Sequence, residues 1–211
     1  MTVNNGLWEL HYQDDFLLVV NKPAGLLAVP GRGADKQDCL AARLQQQFPD
    51  TLVVHRLDMA TSGLMVFARG EAMQRRLSQM FRERVVDKRY VAIVTGELVA
   101  AHGEIDLPIA EDWPNRPRRK IDRAKGKPSL TRYRLLAFDA ASNTSRVELE
   151  PVTGRTHQLR LHLAAIGHPI LGDALYGDAH SAPRLLLHAR TLDFSHPQND
   201  APLNFVCPAL F

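Results

Sequence analysis

Val54-His55-Arg56-Leu57-Asp58-Met59-Ala60-Thr61-Ser62-Gly63-Leu64-Met65-Val66 sets an arginine and a carboxylate two residues apart, ahead of turn-forming residues and a second apolar run. In an extended segment residues two apart share a face, so Arg56 and Asp58 project one way and Leu57 the other. Thr61, Ser62 and Gly63 are turn formers, and Gly63 is free to adopt a backbone conformation that other residues avoid. The apolar run from Leu64 to Ala68 then reads as a short buried strand, which sets Asp58 at the edge of a core. Two readings of Asp58 fit this segment: a carboxylate placed for chemistry, and a turn or capping aspartate beside a structural ion pair.

Further along, Pro151 to Asp173 reads as an apolar strand meeting Gly154, then a helix from Thr156 to about Ile166, with Arg155 at the junction. Leu159, Leu163 and Ile166 give that helix one apolar face, and Gly167 followed by Pro169 stops it. Arg155, His157, Gln158, Arg160 and His162 make the stretch more polar than a core element requires, which points to the wall of a site. Elsewhere the pattern predicts a hairpin of Trp8–Tyr12 and Phe16–Asn21 about Asp14-Asp15, and a helix capped by Asp38 that runs to about Phe48. A second helix, from Glu71 to about Arg82, carries Met73, Leu77, Met80 and Phe81 as a core stripe. Strands are expected over Tyr90–Thr95, Thr131–Phe138, Ser145–Pro151, Leu185–Phe194 and Leu203–Val206. Hairpins and isolated helices in this order predict an α+β fold, a mixed and mostly antiparallel sheet with flanking helices.

The 211 residues contain no long linker, low-complexity tract or repeat, so one domain spanning 1–211 is expected. Of 26 basic and 23 acidic residues, seven basic ones and one acidic one fall between Arg116 and Lys127, which leaves the rest of the chain net negative. This local basic run, entered through Trp113 and two prolines, reads as a loop that meets phosphates. A solvated charge run is the other reading. Cys39 and Cys207 form neither a disulfide framework nor a zinc motif. Met1–Gly6 lacks the basic and apolar regions of a signal peptide, and no apolar run approaches the roughly 20 residues of a membrane span, so a cytoplasmic protein without membrane contact is expected.

Several separated motifs, in order along nearly the whole chain, resemble the RluA family of pseudouridine synthases. They are Asn21-Lys22-Pro23-Ala24-Gly25-Leu26, His55-Arg56-Leu57-Asp58 with Thr61-Ser62-Gly63, Lys88-Arg89-Tyr90, Gly154-Arg155-Thr156-His157-Gln158-Leu159-Arg160, His168-Pro169-Ile170-Leu171-Gly172-Asp173 and Pro183-Arg184-Leu185-Leu186-Leu187-His188-Ala189. Asp112-Trp113-Pro114-Asn115-Arg116-Pro117, followed by basic residues and Gly126-Lys127-Pro128, is similar to the branch that modifies both ribosomal and transfer RNA. The resemblance implies the family's catalytic fold, with an RNA cleft crossing the sheet. The early Asn21-Lys22-Pro23 leaves no room ahead of it for an S4-type RNA-binding module, so the catalytic domain itself is expected to hold the RNA.

Such an enzyme breaks the bond from uracil nitrogen to ribose and rejoins the base through carbon, and the resemblance implies no cofactor and no metal. By resemblance Asp58 is the catalytic aspartate, Arg155 its ion-pair partner, and Tyr90 the ring that lies against the flipped uracil; stacking repays part of the cost of taking a base out of its stack. Arg56 is read either as the residue that fills the gap left by that base or as a phosphate or structural contact. Leu159 is either a wall of the uracil pocket or helix core. Arg116, Arg118, Arg119 and Lys120 are the candidate phosphate ligands. Whether Asp58 attacks ribose, attacks the base or removes a ribose proton is not a question of spacing. The implied partners are stem-loops of 23S ribosomal RNA and transfer RNA, with the protein a monomer that needs no protein partner.

The alternatives are a synthase with only one of these RNA targets and a non-catalytic RNA-binding ribosome-assembly factor, which intact Asp58, Tyr90 and Arg155 argue against. A glycoside hydrolase or nucleosidase would draw on Glu104/Asp106 or Glu111/Asp112, and none of these sits in a comparable motif. His157 and His162 are five apart, not the three or four that align two metal ligands on a helix face, and Pro30-Gly31-Arg32-Gly33 lacks the ending of a phosphate loop.

Overall fold

The computed structural model describes residues 8–211; Met1–Gly6 lies outside them. The elements in chain order are β1 (Glu9–Gln13), β2 (Leu17–Lys22), α1 (Leu40–Gln47), β3 (Thr51–Val53), β4 (Ser62–Arg69), α2 (Glu71–Glu83) and β5 (Asp87–Thr95). There follow β6 (His102–Asp106), β7 (Ile109–Glu111), β8 (Arg119–Ile121), β9 (Leu130–Asp139), β10 (Thr144–Pro151), α3 (Gln158–Ala165), β11 (Leu187–Ser195) and β12 (Pro202–Val206). The pairs β1–β2, β2–β4, β3–β4, β5–β10, β6–β9, β7–β8, β9–β10 and β11–β12 are antiparallel, in the mostly antiparallel α+β layout that the pattern predicts. The described residues form two compact units, one reaching Lys88 and including Ala189–Leu210, the other holding Arg89–His188 and Phe211.

In the first unit the strand order is β1-β2-β4-β11, with β3 also on β4 and β12 on β11. Leu17 and Val19 of β2, Leu64, Val66 and Ala68 of β4, and Leu192 and Phe194 of β11 share a core with Met73 and Leu77 of α2. Leu18, Val20, Met65 and Phe67 alternate with them and are also fully buried. Strands covered on both faces read as continuous apolar runs, which is why Leu64–Ala68 shows no alternation. Each such side chain contributes about 1.5–3 kcal/mol. The hairpin turn between β1 and β2 is held by Asp14, whose Oδ1 accepts from the amides of Phe16 and Leu17 at 2.7 and 2.8 Å.

Two local expectations need correction here. Cys39, not Asp38, caps α1: its Sγ accepts from the Ala42 amide at 3.4 Å, while Asp38 makes a two-pronged ion pair with Arg43. Leu40 donates to the Leu27 carbonyl, and this docks Cys39 in extended backbone, fully buried, at the start of the helix. Thr61-Ser62-Gly63 is not the turn either. The turn spans Asp58 to Thr61, closed by Thr61 N–H to Asp58 C=O at 3.1 Å, and β4 begins at Ser62. Gly63 is required for another reason: at φ 117 a Cβ there would lie 2.3 Å from the Ala189 carbonyl oxygen.

In the second unit β5, β10, β9 and β6 are successive neighbours, and β7 and β8 form a separate hairpin. Alternation along β10 is strict, with Ser145, Val147, Leu149 and Pro151 buried. Its other face carries Glu148 and Glu150, which meet Arg134, Arg132 and Arg89 across the neighbouring strands. Opposite charges across strands favour this register while adding little stability in water.

α3 packs against β8, β9 and β10 and is buried all round from Gln158 to Leu163. This corrects the single apolar face read from Leu159, Leu163 and Ile166, since Ile166 lies past the helix end and is 36% exposed. It also corrects the reading of Gln158, Arg160 and His162 as a site wall. Arg160 grips Asp173 through two hydrogen bonds of 2.8 and 2.6 Å. His162 bridges the Thr131 hydroxyl and the Leu107 carbonyl, each at 2.9 Å. Buried polar groups must be satisfied, and here the Asp173 carboxylate, the Thr131 hydroxyl and the carbonyls of Leu107 and Leu130 satisfy them.

Candidate active site

The Asp58 segment leaves β3 at Val53 as irregular chain and turns back at Asp58. Leu57 is buried, Arg56 exposed and Asp58 half-buried, in keeping with the alternation expected of Arg56 and Asp58 about Leu57. Two anchors hold this turn. Upstream, the His55 ring stacks on Phe81 with centroids 4.4 Å apart, and its Nε2 accepts from the Val66 amide of β4 at 3.0 Å. An acceptor Nε2 requires the neutral ring with its proton on Nδ1; burial, aided by the nearby Lys88 ammonium, pushes the His55 pKa down to about 3. The imidazole thus takes the place of a backbone carbonyl where the β3 ladder stops.

Downstream lies a residue that the sequence marked only as part of a motif. Lys22, at the end of β2, is fully buried, and its Nζ donates to the carbonyls of Pro23, Leu26 and Met59 at 2.8, 2.8 and 3.1 Å. The Met59 carbonyl accepts a second bond from Gly25 N–H at 2.8 Å. The loop after β2 is therefore fastened to the residue that follows Asp58. Burial lowers the Lys22 pKa to about 8, with the Asp58 charge acting in the opposite direction. The available signal was a lysine closing an otherwise apolar strand, directly before a proline.

Tyr90 and Arg155 belong to the second unit. Tyr90 on β5 pairs with Leu149 of β10, which in turn pairs with Tyr133 of β9, so these three side chains share a face. Thr131, two residues from Tyr133, is on that face too and bonds His162, so Tyr90 stands on the side that α3 covers and is half-buried. Arg155 follows β10 in the turn into α3 and is exposed. Gln158 fixes the turn: its Oε1 accepts from the Thr153 hydroxyl and the Arg155 amide at 2.8 and 3.0 Å, and its Nε2 donates to the Leu130 carbonyl and Thr131 Oγ1. The Arg155 side chain donates from Nε to the Pro128 carbonyl at 3.3 Å. Gln158 is thus a positioning residue that the sequence reading placed only in the wall of a site. Leu159 is 7% exposed.

The basic run forms the β7/β8 hairpin and the turn after it. Arg118 donates to the Leu175 carbonyl from Nε at 2.7 Å and also from Nη2, and Arg119 pairs with Glu111 at 2.6 Å. Lys120 lies 3.6 Å from Asp122, and Arg116 lies 3.5 Å from Glu111. Arg118 and Arg119 therefore build the hairpin, while Arg123, Lys125 and Lys127 are exposed. Among the described residues no group of three or more His, Cys, Asp or Glu side chains could hold a metal ion.

Residues 16–165 match the family described as RNA pseudouridylate synthase. The dual-specificity RNA pseudouridine synthase RluA of Escherichia coli strain K12 is 50% identical over 203 residues, covering 95% of this chain and 92% of that protein. Its counterpart in Yersinia pestis is 48% identical over 203 residues, covering 95% and 98%. Among solved structures, human RNA pseudouridylate synthase domain containing 1 superposes with a TM-score of 0.77 at 31% identity, covering 94% of this chain and 82% of that one.

Proposed function

The chain belongs to the RNA pseudouridylate synthase family and is an enzyme that isomerises uridine in RNA, and from that premise we propose that its targets are uridines in 23S ribosomal RNA and in the anticodon loop of certain transfer RNAs. The support for two RNA classes is the likeness, at about half of all positions, to proteins named dual-specificity synthases.

In this reading Asp58 is the catalytic carboxylate, Arg155 its ion-pair partner, and Tyr90 the ring against the everted base. Arg56 serves the RNA around that base, and Leu159 lines the base pocket. The observation that carries the reading is the build of the Asp58 turn. A half-buried carboxylate stands on a turn fixed on one side by the His55 bond to β4 and on the other by Lys22 and Gly25 on the Met59 carbonyl. Catalysis needs a group held in place rather than one that drifts.

The test is a map of pseudouridines in total RNA from cells with and without the gene. Sites in both RNA classes vanish together if the reading holds; loss in one class alone reduces it to a single-target enzyme, and loss in neither overturns it.

A further inference from the structure

The β7/β8 hairpin carries an aromatic ring to which the proposed catalysis gives no task. Trp113 stands at its tip, in a short 3-10 turn over Trp113–Asn115. It is 63% exposed, against 4% for Trp8, the other tryptophan of the chain. The Arg116 guanidinium carbon lies 3.1 Å from the ring centroid. One face of the indole is thus covered by a flat cation, and the exposure belongs to the other face and the edge.

The tip is rigid. Arg118 N–H donates to the Asn115 carbonyl at 2.9 Å, the Asn115 side-chain amide donates to Asp112 at 3.0 Å, and the Arg119 amide donates to the Tyr176 hydroxyl at 2.7 Å. At the other end of the hairpin, in the turn after β8, Arg123, Lys125 and Lys127 are exposed and make no ion pair among the described residues. A flat ring backed by a guanidinium at one end of a hairpin, with unpaired cations at the other, matches an extended polyanion with free π-faces, which describes single-stranded RNA. An acidic peptide would answer the cations and leave the ring idle.

We propose that Trp113, backed by Arg116, is a stacking platform for an unpaired base of the RNA other than the uridine that is isomerised. The proposal rests on the RNA-substrate reading above. It assigns the hairpin a base contact as well as phosphate contacts, so recognition there favours loops over paired stems.

Because Trp8 is buried, intrinsic fluorescence isolates Trp113. The Asp58→Asn protein is titrated with a synthetic RNA hairpin that has a uridine-containing loop, and with a fully paired RNA duplex of the same length. Anisotropy of labelled RNA reports binding independently. The expected result is strong quenching by the hairpin, weak quenching by the duplex, and none in Trp113→Tyr. With Asp58 intact, Trp113→Ala binds the hairpin about 5- to 150-fold more weakly, a loss that appears in KM with kcat retained, and Trp113→Tyr recovers most of it. Binding without quenching overturns the proposal, as does equal affinity of the alanine and tyrosine variants, or no binding at low salt. Quenching without pseudouridine formation by the wild-type protein counts against the enzymatic reading and leaves the platform standing, whereas isomerisation without quenching does the reverse.

Discussion

Replacing Lys22 with methionine keeps most of the volume of the stem and removes only the ammonium. Met59 C=O retains its bond from Gly25, but the carbonyls of Pro23 and Leu26 lose the donor that satisfies them. An unpaired buried carbonyl costs about 1–3 kcal/mol, so the pair costs about 2–6. Methionine also escapes a penalty. The fall of the Lys22 pKa from 10.5 to about 8 corresponds to about 3 kcal/mol of charge burial. The balance runs from about −1 to 3 kcal/mol, with a midpoint destabilisation of about 1 kcal/mol, which for a chain of this size lowers Tm by roughly 2–4 °C. Urea unfolding of the full chain measures it, with the m-value unchanged. The same shift gives the wild type a second signature. Between pH 8 and 10.5 the unfolded lysine keeps a proton that the folded one sheds, so stability rises through that window, and the variant lacks this gain. Isomerisation well below the melting transition falls less than about tenfold, since the ammonium bonds only backbone carbonyls. A loss of more than about 3 kcal/mol, or a wild-type stability that does not rise between pH 8 and 10.5 relative to the variant's, refutes the reasoning. So does a fully folded variant that is as inactive as Asp58→Asn, because Lys22 would then act on the reacting atoms.

His55→Gln keeps an oxygen acceptor for Val66 N–H and removes the titration. With the folded pKa at about 3, against 6.5 for the free ring, the wild type loses up to about 1.4 kcal/mol of stability per pH unit as pH falls below 6.5. The variant is flatter over the same range in acid-titrated urea melts, and a parallel dependence removes His55 from that account. Neutralising Arg123, Lys125 and Lys127 together weakens RNA binding far more at low salt than at high salt, lowering the slope of log K against log salt by up to about 0.7–0.9 for each phosphate that no longer meets a cation. An equal loss at both ionic strengths means that these cations do not meet phosphates.

Eight strands were legible; the clearest were set by burial, the apolar runs of β2 and β4 and the strict alternation of β10. β3, β7 and β8 escaped because three residues carry no periodicity, and β6 because His102, Gly103, Glu104 and Asp106 leave it a single apolar residue. α3 misled for a different reason. A helix rich in Gln, Arg and His ordinarily exposes them, whereas here their partners are Thr131, Asp173 and backbone carbonyls contributed by distant segments that no local pattern announces. Cys39 displaced Asp38 as a cap for the same kind of reason, through a bond from Leu40 to Leu27. Asp58 stood out in the sequence because its neighbours form a motif. Lys22 and Gln158 act through backbone groups, which composition cannot show.

The central claim is that Asp58 performs the chemistry while other groups hold the RNA. The direct measurement is single-turnover isomerisation by Asp58→Asn at RNA concentrations shown by anisotropy to saturate it, with product read as pseudouridine in the recovered RNA. The account predicts RNA affinity within a few-fold of the wild type and no pseudouridine above background. Sustained turnover by the saturated variant contradicts it.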